Sequence, residues 1–163
     1  MTLAPAAPAL LLSDVLLSLH TQPTFAGVMD ALARATRRLG LRCGIGSLIR
    51  DAGTDAWHLT ALWDDAPEPS PLDLRSLGIP LGPFPFVPPA AGVVEPVERV
   101  FGLAWGLQSC TALARRLAVT GVLCIPVPGS DAPRGALLAL LPDATPAALL
   151  SRVLTHAAVA AAA

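Results

Sequence analysis

The sequence predicts a single α+β domain in which helices precede and follow two antiparallel β-hairpins. Apolar positions with helical spacing lie near both ends of the chain, and period-two alternation lies between them. Antiparallel strands flanked by helices are typical of an α+β sandwich rather than a doubly wound parallel sheet. The length of 163 residues fits one domain, or one domain with a flanking helix.

Two helices open the predicted fold. Residues Pro8–His20 carry a wide apolar face rich in leucine, and Pro23 ends or kinks this helix. The second helix begins at Thr24, a residue type that caps helix N-termini, and ends before Gly40, which suits the position just past a helix.

The first predicted hairpin pairs Leu41–Arg50 with Trp57–Asp64 through a turn at 51–55. Alternation in both segments indicates that one face is buried. In the second segment it places four side chains on one face: Trp57, Leu59, Ala61 and Trp63.

A long crossover follows, in which residues 65–96 hold nine of the 17 prolines. This segment has too many helix and strand breakers for regular structure, yet it is too apolar for a solvated linker. We predict a packed connection with one short strand near Leu77–Leu81. Short helices are expected over Val97–Leu107 and Thr111–Ala118.

The C-terminal part is predicted as a second hairpin and a final helix. Gly121–Val127 is apolar on both faces, as in a central strand, and Gly135–Leu141 reads as its partner across a turn at 128–133. Thr145 as N-cap and Pro146 at the first helical position mark the start of the last helix.

The composition excludes or disfavours several classes of function. The net charge of −1 disfavours nucleic-acid binding, and the absence of lysine excludes Schiff-base and P-loop chemistry that needs this residue. The longest uncharged stretch, 76–94, contains five prolines, so we expect no membrane span. Cys43, Cys110 and Cys124 have no metal-site or disulfide spacing, so we expect reduced thiols in a cytoplasmic protein without a metal.

Several segments resemble the GAF domain, a sensory and regulatory domain of bacterial signalling proteins. These are VLCIPV at 122–127, GALLAL at 135–140, the Thr145-Pro146 helix start and the helix–hairpin opening at 24–64. The resemblance covers residues 23–163 and leaves 1–22 as an N-terminal helix for dimerisation or linkage. It implies a central antiparallel sheet with the N- and C-terminal helices packed on one face and the irregular crossover on the other.

The resemblance also implies a non-catalytic regulator that binds an unidentified small molecule beneath the crossover and forms a homodimer through its terminal helices. The cyclic-nucleotide signature of the family is absent, because the chain has neither Asn nor Lys. Cys110 is followed by Thr111 instead of the histidine usual in bilin-binding members, and nothing marks His58 as a haem ligand. The sequence therefore names no cofactor.

Apolar walls with a few polar groups make a ligand pocket. The candidates for such a pocket are Trp63, Phe84, Arg99, Trp105, Gln108, Cys110 and Arg115. Two alternatives stay open. The aromatic residues, with Phe86 and Phe101, simply seal the core of a degenerate GAF scaffold that serves dimerisation or partner binding. Alternatively, Cys110 belongs to a thiol enzyme similar to the free methionine sulfoxide reductases, although burial as a small hydrophobe is the favoured interpretation of this cysteine. No catalytic serine or carboxylate arrangement is recognisable.

Overall fold

The computed structural model describes residues 6–64, 71–79, 82–142 and 147–163. These residues form five helices and five strands. In chain order they are α1 (Ala6–His20), α2 (Phe25–Arg38), β1 (Gly44–Arg50), β2 (Trp57–Trp63), β3 (Val94–Pro96), α3 (Val97–Trp105), α4 (Leu107–Leu117), β4 (Gly121–Val127), β5 (Gly135–Leu141) and α5 (Ala147–Ala162).

The strands form one antiparallel sheet in the order β2-β1-β5-β4-β3. Both predicted hairpins are present, and β5 joins them by pairing with β1 as well as β4. The short edge strand β3 was not predicted. At the other edge, Trp57 pairs with Phe84 and Trp63 pairs with Pro71 in isolated bridges, so the crossover covers β2. The α+β prediction is confirmed.

The two faces of the sheet bury separate cores. The helix-side core packs α1, α2 and α5 on one face; its buried residues include Leu19, Leu32, Ile45, Leu123, Leu137 and Leu154. The crossover-side core packs α3, α4 and the crossover on the other face; its buried residues include Leu48, Leu62, Phe84, Phe101, Cys110 and Leu138. The terminal helices and the crossover thus lie on opposite faces, as the resemblance implied.

Local sequence signals set the bounds of α2. The Thr24 hydroxyl accepts a hydrogen bond from the Gly27 amide at 3.0 Å, which satisfies one of the free donors at the helix start. Gly40 has φ +72°, a left-handed conformation that glycine adopts without a steric penalty. Both predicted ends of this helix are confirmed.

Helix α1 packs against its own chain. Val15 and Leu19 are fully buried, so part of the apolar face that suggested dimerisation needs no second protomer. Leu17 remains 64% exposed. Among the described residues, no helix combines the length and apolar character that crossing a membrane requires.

The crossover differs from the prediction at its centre. No strand forms at the described part of 77–81. Leu77 and Gly78 instead close turns by donating to the carbonyls of Leu74 and Arg75, at 3.2 and 3.0 Å. Gly78 has φ +70°, which interrupts an extended strand. Leu81, and the predicted start of α5 at Thr145 and Pro146, lie outside the described residues. The helices predicted after the crossover are present as α3 and α4.

A β-bulge changes the predicted faces of β2. Leu48 pairs with Leu59 but Ser47 pairs with Ala61, so Thr60 is an extra residue in its strand. The Thr60 hydroxyl donates to the Ser47 carbonyl at 3.0 Å. Beyond the bulge the alternation is inverted, and the prediction that Trp63 shares a face with Trp57 is wrong.

Candidate functional site

Five aromatic side chains form a continuous cluster on the crossover face of the sheet. We call this the aromatic cluster; its members are Trp57, Phe84, Phe86, Phe101 and Trp105, each at most 9% exposed. Phe101 and Trp105 stack in parallel, with ring centroids 3.9 Å apart and an interplanar angle of 2°. Phe86 stacks on Phe101 at 5.4 Å.

Three elements of the fold position these rings. Phe101 and Trp105 are four residues apart in α3 and therefore lie on the same helix face. Phe84 comes from the crossover, which is fixed to β2 by reciprocal backbone hydrogen bonds between Trp57 and Phe84, at 2.9 and 3.0 Å. Phe84 and Phe86 each have an edge-to-face contact with a tryptophan: Phe84 with Trp105 at 5.7 Å and Phe86 with Trp57 at 5.4 Å.

The indole Nε1 of Trp105 is buried and has no hydrogen-bond partner. The residue is 6% exposed, so the indole nitrogen is shielded from bulk solvent. A buried donor left unpaired costs about 1–3 kcal/mol relative to a satisfied one. Among the described residues, Trp105 Nε1 is the only buried side-chain nitrogen or oxygen atom without a hydrogen-bond partner. Trp105 is a member of the aromatic cluster.

Cys110 joins the same core from α4. It is fully buried. Burial, and secondly the negative charge of Glu98, raises the pKa of the Cys110 thiol. Because the thiolate is the reactive form of cysteine, both effects oppose nucleophilic or redox chemistry at this residue. Burial likewise raises the pKa of Cys124 on β4 to about 12.

The structure brings together three of the seven predicted pocket residues: Phe84, Trp105 and Cys110. Trp63 packs against the helix-side core, on the opposite face of the sheet. The three polar candidates, Arg99, Gln108 and Arg115, are exposed on the outer faces of α3 and α4. The Arg99 guanidinium is also paired with Glu95 at 3.1 Å. In this structure these three polar side chains thus do not join the buried aromatic residues.

Trp57 was missing from the predicted pocket, although a sequence signal for it exists. It shares the period-two spacing of Leu59, and both side chains pack on the crossover-side core. Nothing in the sequence indicates that Phe84 pairs with Trp57, because the two residues belong to a strand and an irregular segment.

A separate cleft of about 940 Å³ lies at one end of the sheet, between the 128–134 turn, Arg50 and the C-terminal end of α5. Its two arginines already have partners. Arg50 pairs with Asp55 at 2.5 Å, and Arg134 donates to the Ala162 carbonyl at 3.2 Å. Asp131 adds a negative charge to the lining. Arg50 is thus paired with a carboxylate, whereas the partner of Arg134 is a neutral carbonyl.

Comparisons with known proteins identify the fold. No family model matches the sequence, and no curated protein matches it. Among solved structures, the crystal structure of a GAF domain, described as part of a sensor histidine kinase from Pseudomonas syringae pv. tomato, matches with a TM-score of 0.52 and 18% identity. The match covers 97% of this chain and 84% of that one. This protein therefore has the GAF fold.

A second solved structure is the far-red-absorbing dark state of a protein with bound biliverdin IXa. It matches with a TM-score of 0.47 and 13% identity, over 93% of this chain and 97% of that one.

Proposed function

We propose that this protein is a non-catalytic sensory or regulatory domain that binds a small molecule at the aromatic cluster, between the sheet and the crossover. The observation that carries the proposal is the unpaired, buried Nε1 of Trp105. A ligand with a hydrogen-bond acceptor beside this nitrogen would remove the penalty of the unsatisfied donor.

The surroundings of Trp105 favour a flat, largely apolar ligand. The neighbouring rings of Phe84 and Phe101 offer π-faces and edges rather than charges. Arg99 and Arg115 point away, so a ligand that needs a cationic side chain for recognition does not suit this site.

Entry of such a ligand requires the crossover to move. Phe84 and Phe86 come from a segment whose described part, 82–93, has no helix or strand and is joined to β2 through the Trp57–Phe84 bridge. Segments with few backbone hydrogen bonds open at lower free energy than a packed sheet. A ligand that binds the opened state would shift the population towards it.

A degenerate scaffold with a filled pocket is the second candidate. The parallel stacking of Phe101 on Trp105 at 3.9 Å favours it, because the rings occupy the space that a ligand would need. In this alternative the protein acts only through dimerisation or partner contact. A thiol enzyme is disfavoured, because the Cys110 thiol is buried and its pKa is raised.

Dimerisation through the terminal helices remains part of the proposal. Leu17 on α1 and Val159 on α5 are 64% and 53% exposed, and both are apolar. Light scattering should give twice the mass of the chain; a monomer at tens of micromolar protein contradicts this part alone.

Ligand binding is tested with a matched pair of probes, quinoline and naphthalene. They have the same flat shape, but only quinoline carries an acceptor nitrogen. We expect quinoline to raise the melting temperature more than naphthalene does. The difference should disappear in Trp105→Phe, which lacks the indole donor, and persist in the control Trp63→Phe on the other face of the sheet.

Native mass spectrometry of the reduced protein as purified is the second measurement. A retained small molecule would identify the natural ligand class. If no mass is retained and neither probe changes the melting temperature, the scaffold alternative replaces the sensory proposal.

A further inference from the structure

Two of the three histidines in the chain meet between α1 and α5. His20 Nε2 and His156 Nδ1 are 3.1 Å apart, although 136 positions separate the residues in the sequence. The ring centroids are 5.4 Å apart, with an interplanar angle of 84°. Neither the fold assignment nor the proposed ligand site uses this pair.

The surrounding helices hold both imidazoles in place at the protein surface. Leu19 and Ala157, the sequence neighbours of the pair, are fully buried in the helix-side core. His20 is exposed and His156 is half-buried. The backbones are therefore fixed by apolar packing, while the ring nitrogens remain reachable from solvent.

We propose that His20 and His156 form a binding site for a divalent transition-metal ion. Zinc–imidazole bonds are about 2.0–2.1 Å long, so two of them at angles of about 90–110° separate their nitrogens by about 2.9–3.4 Å. The observed 3.1 Å lies within this range. With the nitrogens 3.1 Å apart and the ion about 2.0–2.1 Å from each, each ring must turn by about 40° from the line that joins the two nitrogens before a shared metal ion replaces the direct hydrogen bond.

The hydrogen-bonded pair and the metal-bound pair differ in which ring nitrogen carries the proton. In the hydrogen-bonded pair of neutral rings, one nitrogen donates and the other accepts. Metal binding requires a lone pair on both His20 Nε2 and His156 Nδ1. Each ring then carries its proton on its other nitrogen, so a change of tautomer is enough and no net proton is released.

The donor set selects the class of ion. Imidazole nitrogens suit Ni²⁺, Cu²⁺ and Zn²⁺, whereas Ca²⁺ and Mg²⁺ prefer oxygen ligands. Among the described residues, no group of three or more His, Cys, Asp or Glu side chains is placed to hold a metal. Water molecules would therefore complete the coordination of an ion held by this pair.

Such an ion would connect the C-terminal end of α1 to α5. Because the histidines are far apart in sequence, the unfolded chain does not present them as a pair. Binding to the folded state alone stabilises that state by mass action. The site would thus couple metal concentration to the packing of the two terminal helices.

The test is a calorimetric titration of the full, untagged, reduced chain with Ni²⁺. Thiolates favour Zn²⁺, whereas imidazole suits Ni²⁺, so Ni²⁺ distinguishes the histidine pair from the cysteines more clearly. We expect one ion per chain. His20→Ala and His156→Ala should each weaken binding at least about tenfold, the scale on which even indirect disturbance of a metal site acts. His58→Ala is the matched control and should bind like the wild type.

Thermal unfolding and NMR provide independent tests of the metal site, and the NMR measurement uses the wild type, so it does not depend on how well a variant folds. Ni²⁺ should raise the melting temperature of the wild type and of His58→Ala but not of the other two variants. In the wild type, Zn²⁺ should shift the ring ¹⁵N resonances of His20 and His156 together and leave His58 unchanged. Absence of Ni²⁺ binding by the wild type, binding that survives loss of either partner, or a shift of His58 instead would overturn the proposal.

Discussion

Replacing Phe101 with alanine removes the ring at the centre of the aromatic cluster. Phe101 is fully buried and stacks on Trp105 on one side and on Phe86 on the other. The substitution therefore measures how tightly the crossover face is packed, which is the property that separates a filled scaffold from a site that opens for a ligand.

The expected loss of stability follows from burial and stacking. Truncation of a buried phenylalanine to alanine costs about 3–5 kcal/mol, because transfer free energy is lost and a cavity is left. Since Phe101 has a stacked neighbour on either side, we expect the upper half of this range, about 4–5 kcal/mol. Domains of this kind have about 5–15 kcal/mol of total stability, so the variant should fold but unfold at much lower urea concentration.

Urea unfolding followed by circular dichroism and tryptophan fluorescence measures this loss. Phe101→Leu is the control, because it keeps an apolar side chain and should cost at most about 2 kcal/mol. Indole should partly restore the melting temperature of Phe101→Ala, since apolar cavities left by truncation bind small aromatic molecules. A loss below about 2 kcal/mol for the alanine variant would refute the reasoning, because a ring packed on both sides cannot be removed at so small a cost.

Three further changes test other parts of the structure. A Cβ on Gly135 would lie within van der Waals overlap of the Leu48 carbonyl oxygen on β1, so Gly135→Ala should lower the urea midpoint by the equivalent of about 1–3 kcal/mol or more. Thr24→Ala removes the N-cap of α2 and should cost about 1 kcal/mol in the same assay. Because folding raises the pKa of Cys124 from 9.0 to about 12, its contribution to stability is complete below pH 9 and is lost as the pH rises towards 12. The chain has neither Lys nor Tyr, so cysteines are the side chains that titrate in this window, and Cys124→Ala should flatten the alkaline decline in the unfolding free energy.

Local signals made much of the fold predictable. The bounds of α2 follow from a capping threonine and a left-handed glycine, which act within a few residues of the helix ends. The strands β4 and β5 follow from continuous apolar runs, and both are buried on either face of the sheet. Such features depend little on the rest of the chain, so a single sequence reveals them.

The wrong sheet face predicted for Trp63 results from the bulge in β2, which the alternating pattern of the sequence does not reveal. Period-two spacing assigns a face only while the strand remains regular. One extra residue at Thr60, held by its hydrogen bond to the Ser47 carbonyl, moves every later side chain to the other face. A threonine inside a strand is ordinary, and nothing in the sequence distinguishes this one from its neighbours.

The helix faces of α3 and α4 determine where the polar pocket candidates lie. Arg99, Gln108 and Arg115 could supply the polar groups of a pocket, but their residue types alone do not define the helix face on which they lie. The buried positions of α3 and α4 follow helical spacing: Val97, Phe101 and Trp105, then Cys110, Leu113 and Leu117. A residue two positions from a buried one lies about 200° around the helix, so this spacing places all three polar side chains outward. Removing them from the site leaves the Trp105 indole and the weakly donating Cys110 thiol as the polar side-chain groups that α3 and α4 bury there. A ligand at the proposed site would therefore be recognised by shape and by one accepted hydrogen bond, and the quinoline–naphthalene pair tests for that hydrogen bond.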